Sequence, residues 1–382
     1  MNPIQWQIHY PGGRHRVLVT QNLPGSQWLE ILARADCRVE VCMSQEPLTA
    51  GDIQTAMGTR CQGVIGQLTE NWDSALFDAL GNAGGKIYSN YAVGYNNVDV
   101  EAATGKNIPV GNTPGVLTEA TAQMAVALTF AAARRIGEAE RFIRSGKFTG
   151  WRPDMFIGEL LWRKTLGIVG AGRIGSAYAN MMVQGHKMDL VYFSRHKNPA
   201  LEADIAAYGE FLRGQGQKPV TCRQAQTIEG LLESADCVSL HTTYNESIRH
   251  LIDARRLTLM KPNAILINTS RGAVIDEQAL VDHCRKNPEF KAGLDVFEEE
   301  PRLALGLDKL DNVVIAPHIA SATRFSREGM AILAATNVAA ILSGYPVWNR
   351  PDVRPFLSEN SLKAAPSIIN SGALRLPVFV SV

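Results

Sequence analysis

The feature that most constrains the fold is the segment from Leu166 to Met182, where an apolar run leads through closely spaced glycines into an amphipathic run. Gly170, Gly172 and Gly175 form the pattern GxGxxG. The chain contains 33 glycines, so a chance match in a purely structural turn is the alternative. Because the pattern directly follows a strand-like run and opens a helix-like run, it predicts a loop that binds the pyrophosphate of a dinucleotide at a helix N-terminus.

The next apolar run bears on which dinucleotide binds. An NAD site usually places an acidic residue about 20 positions after the glycines, where it holds the ribose 2′-hydroxyl. Here Met188–Phe193 is followed by Ser194 and Arg195, and Asp189 lies too early to serve. A hydroxyl followed by a guanidinium can bind a 2′-phosphate. We therefore expect NADPH to be accepted; the alternative is a solvated Arg195 that leaves NADH usable.

Apolar runs alternate with helix-like stretches along both halves of the chain, which is typical of parallel α/β sheets. The first half contains short runs, and a second series of six, the number in a full dinucleotide-binding fold, begins at Leu166. The runs are His15–Thr20, Cys37–Cys42, Gly63–Gly66 and Ile87–Ser89, then Leu166–Gly170, Met188–Phe193, Asp236–His241, Ala264–Thr269, Ala292–Phe297 and Val313–His318.

We predict an α/β protein of two Rossmann-like, doubly wound parallel-sheet domains with an interdomain active-site cleft. The substrate domain is expected to span residues 1–118, completed by 321–382, and the dinucleotide-binding domain 119–320. A long helix is predicted at about 117–145 and another at about 327–342. The connection 194–235 is long enough to carry an insertion, and the proline-containing tail after Gly344 is expected to lie over a domain surface.

Bulk properties exclude several classes of protein. The formal net charge is +1, so there is no global field to attract nucleic acid or an anionic membrane. The apolar stretch Met124–Ala133 is too short to span a bilayer, and the first twenty residues lack the apolar core of a signal peptide. The six cysteines form no CxxC pair and no zinc spacing. We expect a soluble intracellular protein without a metal site.

Three ionisable residues follow three successive apolar runs. Arg271 follows Ala264–Ser270, Glu300 lies just beyond Ala292–Phe297, and His318 comes directly after Val313–Pro317. In an open parallel sheet, ligands bind in the crevice outside the carboxyl ends of the strands. This shared placement predicts a site better than any one of the residues does, since a lone histidine is more often structural.

Several segments resemble the signatures of the D-isomer-specific 2-hydroxyacid dehydrogenases, and the similarity extends over nearly the whole chain. Within the family, a further segment, Val110–Glu119, together with Gly293–Pro301, is similar to the plant-type hydroxypyruvate (glycerate) reductase branch. The segments are Gly63–Leu68, Asn90–Asp99, Asn268–Gly272, Gly293–Pro301 and Ala316–Ser321.

The resemblance implies a mechanism and a substrate. His318 would be the general acid, Glu300 would pair with it and keep the imidazolium available near neutral pH, and Arg271 would bind the substrate carboxylate. The implied reaction is NAD(P)H-dependent reduction of hydroxypyruvate to D-glycerate, and also of glyoxylate to glycolate. The alternatives are a phosphoglycerate or D-lactate type of dehydrogenase, and a non-enzymatic NAD(H)-sensing protein similar to a corepressor.

The resemblance also implies further contacts and a homodimer. Trp151 would reach the substrate pocket of a neighbouring subunit; the alternative is a tryptophan buried in the core. Asp295 would orient the nicotinamide carboxamide. Backbone amides near Val93 and Gly94 would hold the substrate carboxylate, with Leu68 also in contact. The cofactor contacts would be Gly170, Gly172, Arg173, Ile174, Gly175, Ser194, Arg195, Thr242, Thr269, Asp295 and Ser321.

The end of the chain bears on localisation. Plant relatives of the photorespiratory, peroxisomal type end in a Ser-Lys-Leu address. This sequence ends Pro377–Val382, so import by that signal is not expected. An organelle matrix such as that of the mitochondrion, or the cytoplasm, is the expected compartment.

Overall fold

A computed structural model describes residues 4–358 and 363–380. Ser381 and Val382, the last two residues of the segment considered above for localisation, lie outside the described residues. The chain divides into two compact units. Unit 1 consists of Met1–Leu117 and Ala322–Val382, and unit 2 of Thr118–Ser321. Both are α/β units built on a mainly parallel sheet, which confirms the predicted fold class.

The strands in chain order are β1 (Trp6–His9), β2 (His15–Val19), β3 (Cys37–Cys42), β4 (Gly63–Gly66), β5 (Ile87–Asn90), β6 (Val110–Gly111), β7 (Thr165–Val169), β8 (Asp189–Phe193), β9 (Cys222–Gln224), β10 (Cys237–Leu240), β11 (Ile265–Asn268), β12 (Lys291–Leu294) and β13 (Val313–Ile315). The helices are α1 (Gln27–Arg34), α2 (Ala50–Met57), α3 (Ser74–Asn82), α4 (Val100–Gly105), α5 (Thr118–Ala133), α6 (Ile136–Arg144), α7 (Arg173–His186), α8 (Pro199–Gly214), α9 (Ile228–Ser234), α10 (Ala254–Leu259), α11 (Glu277–Lys286) and α12 (Arg324–Leu342).

The sheet of unit 1 has the order β1-β3-β2-β4-β5-β6. β1 pairs antiparallel with β3, and the other neighbours pair in parallel. Reading from β3, this is the doubly wound order 2-1-3-4-5, whose switch point lies between β2 and β4. Helix α12 is buried without interruption from Met330 to Ala340, and Gly63 of β4 provides the space for its close approach at Val338.

The sheet of unit 2 is parallel throughout, with the order β13-β12-β11-β10-β7-β8-β9. The chain reverses its direction of winding between β7 and β10, which is the position where such sheets bind dinucleotides. Apolar residues cover both faces of this sheet, as parallel strands require.

Several details differ from the sequence-based expectation. The helix predicted at 117–145 is two helices, because Arg135 adopts a left-handed conformation with φ +53° between α5 and α6. The connection 194–235 carries α8, β9 and α9, and β9 adds a seventh strand to the predicted six. Helix α7 continues to His186, beyond Met182, where the amphipathic run in the sequence ends.

The tail after Gly344 packs on unit 1 through polar contacts. Ile368 forms a bridge with Gly111 of β6. The buried side chain of Asn370 accepts the amide hydrogen of Val110 and donates to the carbonyl of Ile108, both at 2.9 Å. These contacts complete the edge of the sheet at β6.

Within the described residues, no helix is long and apolar enough to cross a bilayer. The same residues contain no group of three or more His, Cys, Asp or Glu side chains that could hold a metal ion. All six cysteines are free, and burial raises the pKa of each thiol. The cysteines are therefore protonated near neutral pH and poor nucleophiles.

Candidate active site

The carboxyl edge of the unit 2 sheet gathers the predicted residues. The strand register places Leu240 beside Val169 and Asn268, and Leu294 beside Asn268 and Ile315. The segments that follow these strands therefore leave the sheet at one edge. Among them are the glycine loop and the loops that carry Arg271, Glu300 and His318.

His318 and Glu300 form a direct pair, with Nδ1 of the imidazole 2.8 Å from Oε2 of the carboxylate. Burial alone would raise the pKa of Glu300, but the hydrogen bond and charge of His318, the Phe297 amide and Arg271 together lower it. Glu300 is thus ionised at neutral pH and can only accept, so Nδ1 carries a hydrogen. Nε2 remains as the ring nitrogen that can serve a substrate.

The turn that presents His318 is held by Asp295. His318 has φ +53°, a conformation that costs energy for a residue other than glycine, and its amide donates to the Asp295 carbonyl at 2.8 Å. The fully buried Asp295 carboxylate accepts the amide hydrogens of Ile319 at 2.8 Å and Ala320 at 2.7 Å. Burial raises the pKa of Asp295, and these two hydrogen bonds oppose that rise. Asp295 therefore fixes the turn, and its contact with nicotinamide stays a prediction.

The Arg271 loop is shaped by Asn268, which the sequence did not mark as functional. Its Oδ1 accepts the Ser270 amide at 3.0 Å and the Ser270 hydroxyl at 2.8 Å, and its Nδ2 donates to the Arg271 carbonyl at 2.8 Å. Burial lowers the pKa of the Arg271 guanidinium, which stays charged at neutral pH because its ordinary pKa is so high. The loop thus presents a partly buried cation beside Glu300.

Three consecutive glutamates occupy the loop after β12, and each has a different partner. Glu298 contacts Arg249 at 2.6 Å and His250 at 2.7 Å. Glu299 pairs with the exposed Arg302 at 3.0 Å. This arrangement leaves Glu300 as the one of the three that pairs with His318.

The glycine loop has the geometry of a phosphate cradle. Gly170 has φ +98°, and a Cβ there would lie 2.6 Å from the His241 carbonyl oxygen. A Cβ on Gly175 would lie 2.1 Å from the Gly170 carbonyl oxygen. Gly172 faces open space as the N-cap of α7, and it has no side chain to cap the first turn. Helix α7 begins at Arg173. The backbone amides of its first residues, Arg173 and Ile174, can therefore bind an anion.

Buried polar atoms beside this cradle fit a bound dinucleotide. Oγ1 of Thr242, Oγ1 of Thr269 and Nδ1 of His241 are buried and have no hydrogen-bond partner among the described residues. Burial lowers the pKa of His241 to about 3, so its ring is neutral, and Nε2 lies 2.8 Å from the Ser239 hydroxyl. Such atoms are costly unless a ligand or water binds them. His241 directly follows β10, and this position was the one available sequence signal for it.

The loop after β8 is tied to the glycine loop. Nδ2 of Asn198 donates to the Ala171 carbonyl at 2.8 Å and to the Ser176 hydroxyl at 3.1 Å. Arg195 is exposed and has no carboxylate within ion-pair distance among the described residues. Ser194 is half-buried beside it.

Comparison with known proteins decides the family. Residues 126–320 match the profile of the D-isomer specific 2-hydroxyacid dehydrogenase NAD binding domain. The chain belongs to this family. It is 52% identical to the peroxisomal glycerate dehydrogenase HPR of Arabidopsis thaliana over 380 residues, 98% of each chain. It is 53% identical to the glycerate dehydrogenase of Cucumis sativus over 376 residues, 97% of this chain and 98% of that one.

A solved reductase has a similar fold. It is the NADPH-dependent glyoxylate/hydroxypyruvate reductase of Sinorhizobium meliloti, crystallised with NADP and malonate. The sequence identity is 29% and the TM-score is 0.71, with 87% of this chain and 95% of that chain covered. The recognition of a D-2-hydroxyacid dehydrogenase from the sequence is thereby confirmed.

In unit 1 of this protein, the predicted substrate contacts lie in the loops that follow two strands. Leu68 follows β4, and Val93 and Gly94 follow β5. Leu68 is half-buried. The carbonyls of Val93 and Gly94 accept hydrogen bonds from Asn112 at 2.9 Å and Asn90 at 3.0 Å. Among the described residues, the amides of Val93 and Gly94 have no hydrogen-bond acceptor, so they can bind an anion.

Two other predicted contacts lie on the surface of unit 2. Trp151 is 81% exposed, so the alternative of a buried core tryptophan is wrong for the isolated chain. Ser321 is half-buried directly after Ala320, whose amide is held by Asp295.

Proposed function

We propose that this protein reduces hydroxypyruvate to D-glycerate, and glyoxylate to glycolate, with a nicotinamide dinucleotide as reductant. The 2.8 Å pair of His318 and Glu300 carries the proposal, because it places a chargeable imidazole at the sheet edge where the dinucleotide binds. The similarity to two plant glycerate dehydrogenases over almost the full chain supports the choice of substrate.

The residues divide the work of a carbonyl reduction. Arg271 binds the carboxylate of the 2-oxo acid and orients its carbonyl group. His318 transfers the proton on Nε2 to the carbonyl oxygen and becomes neutral, while Nδ1–H stays bonded to Glu300. A reduced nicotinamide dinucleotide, held at the glycine loop, would supply the hydride for the carbonyl carbon. Glu300 accepts the Nδ1 hydrogen and so orients the ring for this transfer.

A substrate panel tests this function. The purified chain is assayed with hydroxypyruvate, glyoxylate and pyruvate, each with NADPH and with NADH. We expect turnover with hydroxypyruvate to exceed turnover with pyruvate. Consumption of neither cofactor with any of these acids would refute the proposal and favour a protein that only senses the dinucleotide.

We further propose that NADPH is accepted at the Ser194–Arg195 turn. Arg195 is exposed and free of a carboxylate partner in the described part of the chain. The neighbouring Lys197 instead pairs with Glu202 at 3.1 Å, so that carboxylate does not compete for Arg195. A hundredfold preference for NADH in the panel would rule this out.

The exposed apolar side chains of α6 and the segment after it support a homodimer. Trp151 is 81% and Leu160 73% exposed, and large exposed apolar side chains that occur close together mark interaction sites in soluble proteins. We propose that a second copy covers this face, which comprises Ile136, Ile143, Phe148, Trp151, Ile157, Leu160 and Trp162. Light scattering on the purified chain tests this, and Ile143→Glu should shift a dimer towards the monomer. A monomeric wild type would refute it.

A further inference from the structure

The loop that carries Glu300 is held by a carboxylate that has no part in the proposed reaction. Glu277 is the first residue of α11 and is 5% exposed. Its Oε2 accepts the amide hydrogen of Glu298 at 2.7 Å, and its Oε1 accepts that of Ala304 at 2.8 Å. One buried side chain therefore binds the loop on both sides of Glu300.

These two contacts need a carboxylate. Hydrogen bonds to a charged acceptor are stronger than neutral ones, and burial strengthens them further. A glutamine could accept one amide hydrogen but would turn its own N–H groups towards the other amide. An aspartate keeps the charge, but it is one methylene too short to reach both amides.

The peptide bond between Phe297 and Glu298 links this anchor to the other groups of the site. One peptide earlier in the chain, the Phe297 amide donates to Oε1 of Glu300 at 3.0 Å. The Phe297–Glu298 peptide itself packs on Gly272, next to Arg271, so closely that a Cβ on Gly272 would lie 1.8 Å from the Phe297 carbonyl carbon. A shift of this peptide would therefore disturb Glu300 and the Arg271 loop together.

We propose that Glu277 is a positioning residue for the acid of the reaction. By binding the amides of Glu298 and Ala304, Glu277 fixes the position of Glu300 between them. The Glu300 carboxylate is thereby kept in contact with Nδ1 of His318. The inference rests on the proposed reduction, since positioning has a kinetic effect only in an enzyme that uses His318. Its structural part, the anchoring of the loop, is measurable without turnover.

The kinetic test uses Glu277→Gln and Glu277→Asp, with Glu299→Gln as the matched control on the same loop. We expect both Glu277 variants to lose about tenfold to a hundredfold in kcat with hydroxypyruvate. The alkaline limb of their kcat/KM profile should move to lower pH, and NADPH binding by fluorescence titration should be unchanged. The control removes only the charge opposite exposed Arg302 and should keep wild-type values.

Amide hydrogen exchange gives the second readout. In both Glu277 variants the amides of Glu298 and Ala304 should exchange faster, while those of β11 should not. Glu277→Asp retains the negative charge at the N-terminus of α11. If the glutamine variant folds poorly, the kinetics and the amide exchange of the aspartate variant test the inference. Wild-type kcat and pH profile in a folded Glu277 variant would overturn the inference. An inactive wild type would instead refute the proposed function, and exchange would still show whether Glu277 anchors the loop.

Discussion

Nδ1 of His318 lies 2.8 Å from Oε2 of Glu300, and the backbone of His318 is held in a left-handed turn by Asp295. The imidazole is thus oriented from both its ring and its main chain. This arrangement leaves Nε2 available for proton transfer, and it generates the first two predictions.

Replacing His318 with alanine should remove the proton donor without altering the cofactor site. We expect kcat with hydroxypyruvate to fall by about 10²–10⁴, the usual contribution of a general acid. NADPH affinity, measured by fluorescence titration, should be close to that of the wild type. His250→Ala is the matched control, because it removes a similar pair with Glu298 at 2.7 Å. Full activity of His318→Ala would contradict the proposed mechanism.

Replacing Glu300 with glutamine should change the pH dependence. The pKa of Glu300 is lowered in the folded protein, so its pairing energy is present above the ordinary carboxylate pKa and is lost as pH falls through the lowered value. The glutamine variant lacks the negative charge beside Nδ1 of His318. The alkaline limb of its kcat/KM profile should therefore move to lower pH. An unmoved limb would mean that Glu300 has no electrostatic role.

Arg195→Ala tests the choice of cofactor. Loss of a charged contact with the 2′-phosphate should raise the KM for NADPH about tenfold to a hundredfold and leave that for NADH unchanged. Steady-state assays with both cofactors measure this. Arg213→Ala, at an exposed position of α8, is the control, because Arg213 pairs with Glu210 in the same helix. An equal change in the KM for both cofactors would show that Arg195 does not distinguish a 2′-phosphate from a 2′-hydroxyl.

Glu70→Gln should stabilise the protein at alkaline pH. Burial raises the pKa of Glu70 to about 7, against hydrogen bonds from Thr20 and from Nε1 of Trp72. The protonated form is favoured in the folded state, so the stability it contributes is present at acidic pH and is lost as pH rises through about 7. The difference from the ordinary carboxylate pKa corresponds to at most roughly 3 kcal/mol.

Glutamine can imitate the protonated carboxyl at this position. The Thr20 hydroxyl can donate to the Ile65 carbonyl, 3.3 Å away, and accept from the new amide. Thermal melts should show a Tm several degrees above wild type at about pH 8 and no gain at about pH 5. Glu46→Gln, on the surface of the same unit, should have no effect at either pH. A pH-independent difference would argue against titration of Glu70.

Trp151→Ala tests whether this exposed side chain selects the substrate. If a second copy places Trp151 near the hydroxymethyl group, the variant should lose most of its preference for hydroxypyruvate over pyruvate in kcat/KM. Phe211→Ala removes another exposed aromatic of unit 2 and should keep the preference. Unchanged discrimination in a dimeric Trp151 variant would exclude the selector role.

Local patterns were sufficient for much of this protein. The strand, glycine loop and helix from β7 to α7 were predictable because each requires residues that are close in sequence. The shared position of Arg271, Glu300 and His318 followed from one rule, that parallel strands end at the same sheet edge. No sequence pattern indicated the break between α5 and α6 at Arg135, because the residues on both sides of it favour helix.

The sequence by itself therefore determined the fold class, the family and the candidate acid, cation and phosphate loop. The tertiary structure decided which residues pair with Glu298 and Glu299, and which buried groups hold each loop. Asp295 binds the amides of Ile319 and Ala320, and Glu277 binds those of Glu298 and Ala304. Such contacts join residues far apart in the chain, so they exist only once the strands that bear them have paired.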